Sequence, residues 1–167
     1  MEIEIGRGKK ARQAYGFDDI AIVPSRRTRD PQDVDIGWKL GPHLLELPLL
    51  GSAMDGVVSP EIAIKLGELG GLGVLNLEGI FSRYDDADIQ LTKIAKAPKE
   101  KATAMMQKIY EQPVEPRLIA RRIEEIKRAG VLAAGSLTPQ KVRDHYELAL
   151  EAGLDVLVIQ GTVVSAE

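Results

Sequence analysis

Four short runs in the C-terminal two-thirds of the chain are apolar at odd and even positions alike: Leu47 to Ser52 (LPLLGS), Gly73 to Asn76 (GVLN), Val131 to Ser136 (VLAAGS) and Asp155 to Gln160 (DVLVIQ). Runs this short, bounded by Gly or Pro, fit strands buried on both faces of a parallel sheet. Between them the apolar positions take up helical spacing. Ser59 followed by Pro60 predicts a helix start, Ile62, Leu66 and Leu69 an inward stripe, and Gly70 and Gly71 its end. Thr138 and Pro139 repeat the device, with Val142, Tyr146 and Ala149 as the stripe, Leu150 beside it and Gly153 at the close. From Glu115 to Arg128, Leu118, Ile119, Ile123 and Ile126 share one face, with charges opposite.

Strands and helices in alternation predict parallel strands joined by crossover helices. The interval between the second and third strands is too long for one such unit. Residues 77–114 therefore form a surface excursion, with helices expected around Asp88 to Lys96 and Glu100 to Gln112. An alternative, a five-strand doubly wound sheet, needs an apolar strand between residues 77 and 130, but the best segment there, KATAMMQKIY, consists of helix formers. Ahead of the first strand, Ile20, Ile22 and Val23, then Val34, Ile36 and Trp38 in alternation, then Leu44 and Leu45, suggest short antiparallel strands and loops.

A chain of 167 residues with this apolar content fits one soluble globular core. It holds no cysteine, so disulfides, thiolate metal sites and a cysteine nucleophile are excluded within it. The net charge of -3 gives no global attraction to nucleic acid or acidic membranes. One end differs: Arg7, Lys9, Lys10, Arg12, Arg26, Arg27 and Arg29 outnumber Glu2, Glu4, Asp18 and Asp19, which reads as a solvated arm because no aromatic residues interleave the charges. No apolar run could span a bilayer, and MEIEIGRGKKARQ lacks the core of a secretory signal. The expectation is a cytoplasmic protein with neither nucleic-acid nor membrane partners.

Candidate chemistry gathers at strand ends. The glycines of GELGGLG (67–73) close a helix and lead into a strand, the opposite polarity to a phosphate-binding loop, so they read as a helix cap and turn. Gly51 to Gly56 (GSAMDG) leaves a strand and precedes a capped helix, where ligands sit in barrels and open sheets. There Ser52 can donate to a phosphate or ribose oxygen, Met54 can pack on a flat base, and Asp55 can accept hydrogen bonds or simply organise the turn. Asn76 and Gln160 close the second and fourth strands, Gln160 leading into Gly161 and Thr162. His43 and His145 lack metal-ligand spacing, His145 being placed towards solvent, and Asp18-Asp19, Asp85-Asp86 and Glu124-Glu125 are neighbours that diverge, so no metal site and no acid–base pair is expected.

The stretch Tyr15 to Pro24 (YGFDDIAIVP), followed by ELPLLGSAMDGVVSPEIAIKLGELGGLGVLN from Glu46 to Asn76, resembles the start of the IMP dehydrogenase/GMP reductase family. The FDD lead-in, the S-x-M-D turn and the G-G-L-G approach to a strand occur in that family's order, and AAGSLTPQ…EAGLDVLVIQ fits its third and fourth strands more loosely. The resemblance implies an α/β fold: the N-terminal half, about four β/α units, of a TIM (β/α)8 barrel, preceded by short antiparallel strands. It divides the chain into an extension, 1–46, and a half-barrel, 47–167, with the 77–114 excursion in place of CBS modules. In this the chain resembles the branch without CBS domains, found in actinobacteria and cyanobacteria.

The resemblance also implies roles. Ser52 and Met54 match positions that contact the purine nucleotide, Met54 lying against the base. Gln160, Gly161 and Thr162 occupy the cofactor-contacting stretch, where the family usually has Asp and serines, and Asn76 stands where many members have His. Asp55 and Asn76 would border the site. Family chemistry uses a cysteine thiolate that attacks C2 of the purine while hydride moves to or from a nicotinamide dinucleotide. That cysteine follows the sixth strand, so no catalytic residue is expected in this chain. Implied for the whole protein are IMP oxidation with NAD or GMP reduction with NADPH (NADP), a monovalent cation, and a homo-oligomer, tetrameric in the family. A non-catalytic half-barrel that binds nucleotide or self-associates is the reading from another class.

Overall fold

A computed structural model describes residues 2–23 and 29–161, and the chain divides into two units, Met1–Asp35 and Ile36–Glu167. The first unit opens with a hairpin that the apolar pattern did not announce, β1 (Glu2–Gly6) and β2 (Lys9–Arg12), paired antiparallel. Its register sets Glu2 opposite Arg12 and Glu4 opposite Lys10, and Lys10 Nζ lies 3.4 Å from Glu2. Cross-strand charge pairing of this kind favours the hairpin and explains why cations gather there. Phe17–Asp19 forms a short 3-10 turn in which the Asp19 carboxylate accepts the Gly16 N–H at 2.8 Å. Ile20, Ile22 and Val23 form no strand and are exposed. Arg26 and Arg27 lie outside the described residues.

In the second unit, β3 (Trp38–Leu40) and β4 (His43–Leu45) form an antiparallel hairpin. Then come β5 (Leu50–Gly51), α1 (Pro60–Glu68), β6 (Leu72–Asn76), α2 (Ala87–Ala95), α3 (Lys99–Tyr110), α4 (Pro116–Arg128), β7 (Ala134–Leu137), α5 (Pro139–Glu151) and β8 (Val156–Ile159). The four strands β5 to β8 pair in parallel in chain order. A doubly wound sheet reverses strand order at a switch point, whereas a barrel wall adds each strand beside the last. The excursion is helical, as α2 and α3, so the strand that the five-strand alternative requires is absent.

Of the two N-caps marked in the sequence, Ser59 caps its helix with its side chain and Thr138 does not. Ser59 Oγ accepts the Ile62 N–H at 3.2 Å. After α1, Gly70 has φ +84, its N–H bonds Gly67 O and the Gly71 N–H bonds Leu66 O, a Schellman ending that a left-handed glycine permits. Thr138 occupies the N-cap of α5 but its side chain does not cap it. Instead the Glu78 carboxylate accepts both the Thr138 N–H, at 2.5 Å, and the Thr138 hydroxyl, at 3.0 Å. The Thr138 hydroxyl is thus held as a donor to a charged acceptor from another loop instead of accepting a helix N–H.

Two helix stripes follow the sequence expectation only in part: Leu66, Val142 and Ala149 face inward, and Ile62, Leu69 and Tyr146 do not. In α1, Ile62 and Leu69 are exposed and the inward side is Ala63, Leu66 and Gly67. Close approach is the cause: a Cβ on Gly73 would lie 2.5 Å from Ala63 Cα, and one on Gly67 would lie 2.6 Å from Val131 Cβ. In α5, Tyr146 and Leu150 face outward while Val142, Leu148, Ala149 and Ala152 pack inward, with His145 half-buried rather than solvent-facing. The α4 stripe of Leu118, Ile119, Ile123 and Ile126 is buried as expected.

The sheet therefore has two unlike faces. Leu75, Leu77 and Leu137 pack under the helices with Ile119, Ile123, Ile126 and Ala149, and α4 lies between α1 and α5. On the other face Leu72, Val74 and Ala134 meet Leu45, Trp38 and Leu40 of the β3–β4 hairpin. The Trp38 indole N–H donates to Leu47 O at 3.3 Å and fixes that hairpin beside the start of the sheet.

Candidate functional site

Side chains alternate across a strand, so Ser52, Asn76, Ser136 and Gln160 fall on the face that carries Leu50, Val74, Ala134 and Val158. They do so at the carboxyl ends of four adjacent parallel strands. Asn76, Ser136, Gln160 and Gly161 line a recess of about 310 Å³, together with Ala53, Glu78 and Thr138. A neighbouring depression of about 260 Å³ runs down the sheet face past Ser52, Val74 and Val158 and shares Ala53 and Gln160 with the first. One end of this surface offers hydroxyls and amides and the other offers apolar side chains, the mixture that small-molecule sites use.

Local structure fixes each group. The Asn76 side-chain carbonyl accepts the Glu78 N–H at 3.1 Å, which turns the chain sharply out of β6 and aims the Glu78 carboxylate at Thr138. The turn after β5 is closed by backbone bonds from Val57 and Val58 to Met54 O, and the Met54 side chain is exposed outside the recess. Asp55 turns away from the recess: its Oδ2 accepts the Ile80 N–H at 2.9 Å and the Tyr110 hydroxyl, while its Oδ1 is buried without a hydrogen-bond partner. Burial, the hydrogen bond to Asp55 and its charge together push the Tyr110 hydroxyl far above the usual tyrosine range, against the opposing charge of Arg83, so it stays a donor.

The structure thus gathers Ser52, Asn76, Gln160 and Gly161 at one rim and places Met54 and Asp55 in the adjoining turn. Thr162 lies outside the described residues. Ser136 and Glu78 were missed in the sequence. Ser136, 1% exposed, could have been found by the same sign as Asn76 and Gln160, a polar residue ending an apolar strand. Glu78 carries no such sign, because its partner is remote in sequence. Among the described residues no group of His, Asp or Glu could hold a metal ion, and no helix is long and apolar enough to cross a membrane.

A sequence profile of the IMP dehydrogenase / GMP reductase domain matches residues 14–165. The chain belongs to that family. The motifs that carried the resemblance lie within the matched span, and the family is the one they pointed to. An IMP dehydrogenase/GMP reductase-like protein from Corynebacterium glutamicum, known from a crystal structure, superposes with a TM-score of 0.82 at 39% identity, over 99% of this chain and 46% of that one. The fold is accordingly the N-terminal half of a TIM barrel. Uncharacterized oxidoreductases of Mycobacterium tuberculosis and Mycolicibacterium smegmatis are 44% and 41% identical over 99% of this chain and 45% of their own length. An inosine-5'-monophosphate dehydrogenase of Methanocaldococcus jannaschii is 42% identical over 40% of this chain. The chain spans about half the length of the oxidoreductases it matches.

Proposed function

We propose that this chain forms the N-terminal half of a purine-nucleotide oxidoreductase site, and that the protein carrying it is an IMP dehydrogenase converting IMP to XMP with NAD. The observation that carries this reading is the row of Ser52, Asn76, Ser136 and Gln160 along one rim of a half-barrel of this family. In it Ser52 binds the nucleotide, Met54 covers the base, and Asp55 and Asn76 hold the border. Gln160, Gly161 and Thr162 are assigned to dinucleotide binding. The Gln160 amide and the exposed Gly161 backbone at the recess wall suit a polar nucleotide ligand, and bound NAD would supply the hydride acceptor. The thiolate comes from outside this chain, which has no cysteine. Helices α2 and α3 stand where CBS modules are inserted in other members, and the whole protein is a cytoplasmic homo-oligomer.

The test uses the complete gene product that contains these residues, assayed with IMP and NAD and with GMP and NADPH, beside the 167-residue chain alone. Reduction of NAD by the complete protein with IMP, and no turnover by the chain, is the expected result. Oxidation of NADPH with GMP instead would make the protein a GMP reductase. Turnover by the cysteine-free chain would overturn the division of labour, and binding of neither nucleotide would overturn the purine reading.

A further inference from the structure

Two rim loops and the last residue of α3 meet at one carboxylate. Asp55, in the turn after β5, accepts the Ile80 N–H at 2.9 Å and the hydroxyl of Tyr110, the last residue of α3. The fit is close: a Cβ on Gly79 would lie 2.6 Å from Asp55 Cγ and 2.7 Å from Oδ2, so the loop after β6 reaches the carboxylate only because residue 79 has no side chain. Arg83 holds Tyr110 from the other side. Its guanidinium lies 5.4 Å from the ring centroid, its Nε donates to Glu78 O at 3.1 Å and its Nη1 donates to Tyr110 O at 3.1 Å. Glu78 then continues the chain of contacts to Thr138, at the start of the loop after β7.

We propose that Tyr110, through Asp55 and the Gly79–Ile80 backbone, positions the Ser52–Val57 turn against the loops after β6 and β7, making the excursion a brace for the nucleotide rim. This rests on reading that rim as the nucleotide site. Turns hold ligand groups to a fraction of an ångström only when their own side chains are locked by a supporting layer. Here Ser52 and Met54 sit on a turn whose own bonds are confined to residues 52–58, and Asp55 is its link to Ile80 and Tyr110. Tyr110 is therefore a positioning residue, not one that touches substrate, and α3 acts on the rim from outside the barrel wall.

The experiment compares Tyr110→Phe, which keeps the ring over Arg83 and removes the donor, with the unsubstituted complete protein. Hydrogen-exchange mass spectrometry on peptides spanning 52–58 and 78–84 should show exchange about tenfold faster, the loss expected for one hydrogen bond to a charged group, with α4 and β7 unchanged. The Kd for IMP or GMP should rise about tenfold while Tm stays within about 2 °C. Gly79→Ala, which crowds the same carboxylate, should speed exchange in the same two peptides and raise the same Kd. Unchanged exchange in both peptides overturns the brace. Faster exchange with unaltered nucleotide affinity overturns its role at the rim. Because exchange is read without nucleotide, failure of the unsubstituted protein to bind IMP or GMP counts against the purine reading and is separable from failure of the brace.

Discussion

The helix side of the β5–β8 sheet and its inner side are built from similar residues and end in different states. On the helix side Leu75, Leu77 and Leu137 are sealed beneath α1, α4 and α5. On the inner side the β3–β4 hairpin covers Leu72 and Val74, but Leu50 remains 52% exposed and Val158 36%. A closed barrel fills its interior with layers of such side chains. The contrast shows where the two tasks reside: cohesion lies under the helices, and the inner face keeps apolar surface and a polar rim for what comes to it.

Ile123→Ala would break the comparison most forcibly. Ile123 is 1% exposed at the centre of the helix side, so its truncation should cost about 2–5 kcal/mol in urea unfolding. A loss below about 1 kcal/mol would mean that the helix side does not carry the fold. Gly135→Ala probes the same side by crowding, since a Cβ there would lie 2.6 Å from Leu77 Cδ1. About 1–3 kcal/mol of destabilisation is expected, read as a lower denaturation midpoint at unchanged slope. Val158→Thr sits at the other extreme, exchanging a methyl for a hydroxyl on a strand residue of the open face. Its effect on unfolding should stay within about 0.5 kcal/mol, and a larger one would show the inner face to be covered in solution.

Much of this architecture was legible because buried parallel strands and amphipathic helices leave periodic marks. The strands around 73–76 and 155–160 and the helix ending at Arg128 fall within a residue or two of their expected bounds. The facing of α1 and α5 was legible only in part, because the pattern weighs large apolar side chains and so admitted Tyr146, Ile62 and Leu69. At α1 the deciding residues are small: Ala63, Gly67 and Gly73 let the backbones approach, and that turns Ile62 and Leu69 outward. The rim was half legible. Asn76 and Gln160 announce themselves by ending apolar runs, whereas Glu78, Tyr110 and Arg83 act through partners distant along the chain, which no local spacing records.

The order β5-β6-β7-β8 has a consequence for synthesis. A polypeptide leaves the ribosome from its N-terminus, and in this order each strand from β6 onward emerges to find its partner already made and its pairing edge free. A doubly wound topology must instead return to the opposite edge of its first strand once part of the sheet is laid down. Vectorial growth and the final arrangement coincide, so the nascent chain extends its sheet at a single advancing edge.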